Sequence, residues 1–335
     1  LSCTDVAKLV QHRITSTLVH PSEDKTIVAA GDKRGNLGIW NASENAQQSE
    51  SNGDIFYFTP HVSNICCLHC SPSSPDKVYS ASYDGTIRCL NVEQLSFSLG
   101  FCAPEEFGDI YFTDVSFTSS ENCAYIAKSN GQVSAVDMRA SAAAYSWSMN
   151  AHPTKINVIQ VHPTNENVLL CAGASTITLY DIRKATGEII SNTTAHEKSI
   201  SSAAISPDGK SLVTISHDDR VKLWRGDFCS SKTDITCVES MHKNNHTGRW
   251  LSTFRHVFDP KFPSTFLVGS MDQPRRIETY DITSGSESTS GGASFRHSGS
   301  LMAEDLKSVC SRNAVHPSLH IIAGGNSSGR VHLFR

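Results

Sequence analysis

No run of 18 apolar residues occurs anywhere in the 335 residues, which excludes a helical membrane span and predicts no membrane partner. The opening Leu1-Ser2-Cys3-Thr4-Asp5 lacks the basic, apolar and small-residue order of a secretory signal, and reads as a start inside a longer protein whose upstream segment is not in this chain. An excess of positive charge is also missing. Lys and Arg number 29 against 33 Asp and Glu, a formal net charge of -4. A uniformly basic nucleic-acid binder is excluded, but a local basic patch is not, because only the face that meets a partner must be positive. The 11 cysteines form no disulfide framework: they are odd in number and sit in apolar runs such as Ile65-Cys66-Cys67-Leu68. That usage suits reduced, buried thiols of a cytosolic or nuclear protein. No helical 3.6-residue period of useful length is found.

What is present is a repeat. Short apolar runs end in Pro at Leu18-Val19-His20-Pro21, Leu68-His69-Cys70-Ser71-Pro72, Ile159-Gln160-Val161-His162-Pro163, Ala204-Ile205-Ser206-Pro207, Val257-Phe258-Asp259-Pro260 and Ala314-Val315-His316-Pro317. Val115-Ser116-Phe117-Thr118 is a seventh without the Pro. Each leads to a second apolar run, a turn and a third run. The third runs end near Trp40, Leu90, Val136, Tyr180, Trp224, Tyr280 and Phe334, at spacings of 50, 46, 44, 44, 56 and 54 residues. The shorter spacings fit a four-stranded propeller blade of roughly 40–45 residues, and the longer ones need only loop insertions. Six residues before each endpoint lies a turn, followed by Gly at Gly35, Gly85, Gly131 and Gly329, where a tight strand connection needs positive φ. The chain is therefore predicted to be all-β, a single seven-bladed propeller over residues 1–335. Its seventh blade has three strands of its own at the C-terminus, so Asp5–Val10 is expected to supply the fourth and close the ring.

At this point the chain resembles the WD-repeat propellers. Blade five carries His196, Ser206-Pro207-Asp208-Gly209, Ser216, Asp218 and Val221-Lys222-Leu223-Trp224; blade two keeps His61, Ser82 and Asp84 with Leu90 in place of Trp. The resemblance implies a buried hydrogen-bonded network of His61 and Asp84, and of His196, Ser216, Asp218 and Trp224, that pins each turn.

Two chemical motifs have plainer readings. Gly325-Asn326-Ser327-Ser328-Gly329 matches a nucleophile elbow, yet a strand rather than a helix is predicted after it, which makes it a hairpin turn. Cys67-Leu68-His69-Cys70 has metal-ligand spacing, but no second pair accompanies it and strand residues three apart face opposite sides. No catalytic residue, metal site or cofactor is expected, and the protein is predicted to act by binding.

The turn end of the propeller, here the top, carries Lys33, Arg34, Lys128, Arg249, Trp250, Arg275, Arg276 and Arg330. His246-Thr247-Gly248-Arg249-Trp250 sets an aromatic beside Arg, and Met271-Asp272-Gln273-Pro274-Arg275-Arg276 presents paired arginines. Arg grips phosphate through two parallel bonds, and an aromatic can stack on a base, so these eight residues are the candidate DNA contacts. Trp250 is either a base-probing residue or a plug packed on the next blade. Together with Ser308–Pro317 and Ala323–Gly329, these segments are similar to a nuclear, chromatin-associated WD-repeat family related to the damage-binding proteins. That resemblance implies a nuclear location and a preference for damaged or modified DNA, or for nucleosomes. A histone-tail or peptide reader without direct DNA binding is the alternative. On the opposite face, Val136-Asp137-Met138-Arg139 and Tyr180-Asp181-Ile182-Arg183 resemble the box by which WD-repeat receptors dock onto the adaptor of cullin-RING ubiquitin ligases. Asp137, Arg139, Asp181 and Arg183 would be the docking residues; the bland reading is a pair of local Asp–Arg bridges.

Overall fold

The computed structural model describes residues 1–43, 54–104, 109–140, 145–183, 187–230, 235–283 and 293–335. Every element in them is a strand. Blade one is β2 (Ile14–Val19), β3 (Ile27–Asp32), β4 (Leu37–Asn41) and β5 (Asp54–Phe58). Blade two is β6 (Ile65–His69), β7 (Lys77–Ser82), β8 (Thr86–Asn91) and β9 (Ser96–Cys102); blade three is β10 (Phe112–Phe117), β11 (Cys123–Lys128), β12 (Gln132–Asp137) and β13 (Trp147–Asn150). Blade four is β14 (Ile156–His162), β15 (Asn165–Gly173), β16 (Thr176–Asp181) and β17 (Glu188–Thr194); blade five is β18 (Ile200–Ile205), β19 (Leu212–Ser216), β20 (Arg220–Arg225) and β21 (Thr236–His242). Blade six is β22 (Val257–Asp259), β23 (Phe262–Gly269), β24 (Ile277–Thr283) and β25 (Ser294–Leu301). Blade seven is β26 (Cys310–Val315), β27 (Ile322–Asn326) and β28 (Arg330–Phe334), completed on its outside by β1 (Cys3–Lys8).

Seven four-stranded antiparallel sheets thus form the propeller, and the first strand closes it. The β1–β28 pairing runs from Cys3 opposite Phe334 to Lys8 opposite Arg330. Closure ties the two ends of the chain together and leaves no blade with an unfinished edge.

Burial explains the strand pattern. Second and third strands lie sandwiched between neighbouring blades, so they read as near-continuous apolar runs: Leu212, Val213 and Ile215 on β19 and Val221 and Leu223 on β20 are fully buried. Outer strands read as half-exposed, as in Thr236–His242. Clusters fill the spaces between blades; one joins Leu170, Ile177 and Leu179 of blade four to Ile200, Ile205 and Leu212 of blade five. Each innermost strand has one edge with no strand beside it. Side chains of the preceding blade satisfy it: Ser16 Oγ accepts from Leu68 N at 3.0 Å, Ser116 Oγ from Val161 N at 2.9 Å, Gln160 Oε1 from Ile205 N at 2.7 Å and Ser202 Oγ from His256 N at 3.2 Å.

The turn glycines have a double role. Gly35 sits at φ 89°, and a Cβ there would lie 2.3 Å from His61 O, on the loop entering the next blade. Gly329 sits at φ 79°, and its Cβ would lie 2.0 Å from Val10 O. The turns of blades one and seven, and that of blade three at Gly131, therefore seat directly under their neighbours.

Candidate nucleic-acid interface

In blade five, His196 Nδ1 bonds Asp218 Oδ2 at 2.9 Å, and its Nε2 meets Thr214 Oγ1 at 2.7 Å. Trp224 Nε1 donates to the same Thr214 hydroxyl at 2.9 Å. Ser216 stands outside this chain of bonds: its Oγ donates to Lys198 O at 2.9 Å and accepts from Asp218 N at 3.3 Å. Ser216, expected in the network, reaches it through Asp218 N and not through the His or Trp side chain. Thr214 and Ser216 share a face of β19, but Ser216 lies at the turn end, where it reaches the preceding loop, and Thr214, two residues earlier, supplies the bridge. Blade two repeats the arrangement with Ser80: His61 Nε2 lies 2.8 Å from Ser80 Oγ, and its Nδ1 lies 3.1 Å from Asp84 Oδ2. Burial opposes the charge of Asp218, yet the bond from His196 holds its carboxyl below the usual range; burial keeps His196 below its ordinary pKa. These groups are committed to the turns.

The top face funnels into a cavity of about 680 Å³ at the propeller axis. Six cations line it: Arg13, Lys33, Lys155, Arg249, Arg255 and Arg312. Among the described residues no carboxylate lines it directly. Arg13 precedes β2, Lys33 lies in the β3–β4 turn, Lys155 precedes β14, and Arg249 and Arg255 flank the approach to β22. The loop that carries Arg249 and Trp250 crosses from blade five to blade one. Asn245 Nδ2 donates to Ser216 O at 3.1 Å at one end; Ser252 Oγ donates to Ile14 O at 2.6 Å at the other. Arg13 Nη1 donates to Arg249 O at 2.6 Å between them. With both ends anchored, Trp250 is held outward at 73% exposure, and the Arg249 guanidinium lies 4.7 Å from its ring centre. The plug reading of Trp250 is therefore incorrect.

The other candidate contacts divide. Lys33 and Arg34 are exposed together on one turn. Arg330 is exposed on blade seven beside Asp305 and Lys307, away from the axial cavity. Lys128 is a correction. It is only 4% exposed, its ammonium lies 3.8 Å from the centre of the Tyr145 ring, and burial lowers its pKa to about 8. It cannot reach a phosphate. Arg276 is also corrected: its Nη2 pairs with Asp272 at 3.0 Å and its Nε with Glu278 at 2.8 Å, so its charge is already met. Arg275 donates through Nη1 to Met271 O and is part-buried. The paired arginines stabilise their own turn rather than presenting two free guanidiniums.

Sequence reasoning missed Arg13, Arg255 and Arg312, and an alignment of the inner strands would have found two of them. Counting back four residues from His20, Ser71, Thr118, His162, Ser206, Asp259 and His316 gives Ser16, Cys67, Asp114, Val158, Ser202, Arg255 and Arg312. The one position around the axis holds small or neutral side chains in four blades, Asp in one and Arg in two adjacent ones. Arg255 Nη1 pairs with Asp114 at 2.9 Å, and its Nη2 donates to Asn157 O at 2.9 Å. Burial opposes the Arg255 charge, but Asp114 raises its pKa overall. Arg312 has no such carboxylate. Burial first, then the neighbouring Arg255, pushes its pKa down to about 9, so at neutral pH it remains a cation held at a cost.

On the opposite face, Arg139 Nε and Nη2 clasp Asp137 at 2.9 and 2.7 Å, and the guanidinium of Arg183 clasps Asp181 in the same way. Both Arg side chains are 69% exposed. The Arg139 bonds bring the Asp137 carboxyl down to about 2. The boxes end β12 and β16, so they present matching Asp–Arg pairs on adjacent blades. Cys67 and Cys70 are held in the thiol form by burial, each pushed up to about 12, and no group of three or more metal-ligating side chains is found among the described residues. Ser328 lies in the β27–β28 turn, with its hydroxyl on Asn326 Oδ1 at 2.8 Å.

Fold and turn network together define a WD-repeat β-propeller. A family model described as NUP159/214 beta propeller matches residues 109–289, and one described as WD domain, G-beta repeat matches residues 54–91; the chain belongs to the β-propeller family that these models describe. It is similar to WD repeat-containing protein 76 of Xenopus laevis, 37% identical over 98% of this chain and 54% of that protein, and to its namesake in Mus musculus, 35% identical over 100% and 51%. It is also similar to DNA damage-binding protein CMR1 of Chaetomium globosum, 26% identical over 98% of this chain and 65% of that one. The chain spans about half the length of the first two relatives. Among solved structures, a chain of a mitotic checkpoint complex crystal structure superposes with a TM-score of 0.71 at 13% identity, covering 100% of this chain and 95% of that one. That likeness concerns the fold.

Proposed function

We propose that the protein is a non-enzymatic nuclear scaffold whose top face binds DNA or nucleosomal DNA, with a preference for damaged or modified duplexes. The observation that carries this reading is the axial mouth: among the described residues six cations line it and one carboxylate, Asp114 behind Arg255, answers them, in a chain whose net charge is -4. Positive charge has been gathered where the loops converge, which is the footprint of a polyanion partner. The exposed, anchored Trp250 adds a flat apolar surface at the rim. Bases in a lesion or mismatch are the least costly to unstack, so a fixed aromatic favours them. Names of relatives that include DNA damage-binding support the same reading and, with it, a nuclear location. A Lys- and Arg-rich histone tail would meet like charge in this mouth, which weighs against the peptide-reader alternative.

The test is a gel-shift panel of damaged, modified and plain duplexes at two salt concentrations, with wild type and Trp250→Ala. Wild type should bind the damaged or modified duplexes more tightly, and Trp250→Ala should lose most of that preference while keeping plain-duplex affinity. Absence of binding to every duplex at low salt would refute the reading. The opposite face is proposed to dock the adaptor of a cullin-RING ubiquitin ligase through Asp137, Arg139, Asp181 and Arg183. Arg139→Ala with Arg183→Ala should abolish co-purification of that adaptor and leave the melting curve unchanged, since exposed Asp–Arg pairs contribute little to stability.

A further inference from the structure

The deepest part of the mouth differs from its rim. At the rim, Lys33, Lys155 and Arg249 reach water. At the throat, three guanidiniums converge from blades one, six and seven: Arg13, Arg255 and Arg312. Arg255 and Arg312 pair as an isolated parallel bridge between adjacent inner strands, so their side chains emerge side by side. Asp114 is the carboxylate that bonds this group, and it is committed to Arg255 and to Ile159 N. Several donors are buried and find no acceptor among the described residues: Nε of Arg13, Nε of Arg255, and both Nε and Nη1 of Arg312. Among the described residues the Arg312 guanidinium makes one bond, a long one from Nη2 to Thr253 Oγ1 at 3.4 Å.

All three arginines are part-buried, but these particular N–H groups are shut off from water, and a buried donor of a charged group left without an acceptor is costly. Three of them around one cavity, with a single carboxylate, leave a local excess of positive charge and a set of N–H groups with nothing to accept them. A tetrahedral oxyanion answers both deficits at once. Its oxygens accept several N–H bonds, and its charge balances the cations left over. A carboxylate offers two oxygens in one plane; a phosphate offers oxygens in three dimensions, which suits donors arriving from three blades. Of the hydroxyls on the same wall, Ser201 and Ser252 already donate to backbone carbonyls, which leaves Thr253 beside Arg312.

We propose that the throat framed by Arg13, Arg255 and Arg312 is a binding site for a single phosphate group. The identity of its natural carrier rests on the DNA-binding reading above: a phosphate of the nucleic-acid strand, seated at the axis while the rim cations hold the flanking backbone. The lowered Arg312 pKa agrees with a cation waiting for its counter-charge.

The probe is inorganic phosphate itself. Melting of the protein is compared in sodium phosphate and in sodium chloride of equal ionic strength at pH 7.4. At about a hundredfold excess over its dissociation constant, phosphate should raise the wild-type melting temperature by about 3–5 °C above the chloride value. Arg312→Met should melt at or above wild type in chloride, because the uncompensated cation is gone, and should show no phosphate increment. Arg312→Lys keeps the charge and should retain part of it. An equal melting temperature of wild type in the two salts overturns the proposal without recourse to any variant, and so does an undiminished increment in Arg312→Met. The source of the group is read with duplexes bearing a recessed end with a 5′-phosphate or a 5′-hydroxyl. Preference for the phosphorylated end assigns a strand terminus; equal binding, competed by inorganic phosphate, assigns an internal phosphodiester. A phosphate increment without binding to any duplex leaves the throat site standing and removes the DNA reading. Duplex binding without an increment does the reverse.

Discussion

Replacing Thr214 by Val removes one oxygen and preserves the shape of the side chain. The oxygen lies at the centre of blade five. It accepts from Trp224 Nε1 at 2.9 Å and meets His196 Nε2 at 2.7 Å. Thr214 is fully buried, and Trp224 and His196 are each 4% exposed, so no water can replace it. Two buried polar nitrogens lose their partner together. At about 1–3 kcal/mol for each buried group left unsatisfied, the substitution should cost about 2–6 kcal/mol. Ser216 is equally buried, but its partners Lys198 O and Asp218 N belong to an exposed and a part-buried residue that water can reach more readily, so Ser216→Ala should cost about 1 kcal/mol. Thr214→Ser keeps the hydroxyl and loses a methyl group, about 1 kcal/mol. Urea unfolding followed by tryptophan fluorescence gives the midpoints of all three variants. Trp224→Phe should then cost less in a Thr214→Val background than in wild type, because its bond is already broken. The reasoning fails if Ser216→Ala is as damaging as Thr214→Val, or if Thr214→Ser is no milder than Val.

The rim cations are separable from the turn arginines by salt. Lys33→Ala with Arg34→Ala and Arg249→Ala removes three exposed charges; if all three contact phosphates, the slope of log K against log salt should flatten by about 2.7, which shrinks the loss of affinity between 50 and 200 mM salt by about 40-fold. Arg276→Ala, whose charge is met by Asp272 and Glu278, should leave that slope unchanged. Deleting residues 1–10 strips β1 from β28 and removes Leu9 and Val10, both almost fully buried. At about 1.5–3 kcal/mol for each large apolar side chain, the melting temperature should fall by several degrees, and an unchanged melting curve would contradict the closure. Acid should destabilise the fold well before its carboxylates titrate. Burial holds His256 at about 3 and His332 at about 4, so both stay neutral in the native state while the unfolded chain takes up protons near 6.5. Their stabilisation is complete above that pH and is lost as pH falls toward 4; from 6.5 to 5 each contributes a loss of about 2 kcal/mol, and His332→Gln should shallow the decline of melting temperature with pH.

How far the sequence reached depended on whether a feature repeats. Strand order, the seven turns and the closing strand repeat or follow from repetition, and the periodic Pro, Gly and apolar runs mark them. Trp40, Leu90, Val136, Tyr180, Trp224, Tyr280 and Phe334 all lie in third strands for that reason. The site does not repeat. Lys128 ends a second strand and Lys33 directly follows one, yet Lys128 points under Tyr145 and Lys33 into the mouth. Strand parity and neighbouring-blade packing decide that, and neither is local in sequence. Arg275 and Arg276 looked like a free pair because their partners, Met271, Asp272 and Glu278, were counted separately from them. Thr214 was overlooked in favour of Ser216 because a hydroxyl two residues away sits on the same face of the strand.

The same distinction bears on how the protein can hold a charged partner at all. Six cations around one cavity repel one another, and a flexible surface would relieve that by moving them apart. Here they cannot separate freely. Arg13 is bonded to Arg249 O, the loop carrying Arg249 is fixed at Asn245 and Ser252, and Arg255 and Arg312 are carried by paired inner strands. Blade-to-blade bonds such as Ser202 to His256 hold those strands in turn. The stability of the ring therefore sustains an electrostatic arrangement that is unfavourable in isolation and favourable once a polyanion arrives. A variant that loosens the ring without touching a cation, such as Thr214→Val, should accordingly weaken DNA binding more than its distance from the mouth suggests, whereas Arg139→Ala on the opposite face should leave it unaltered.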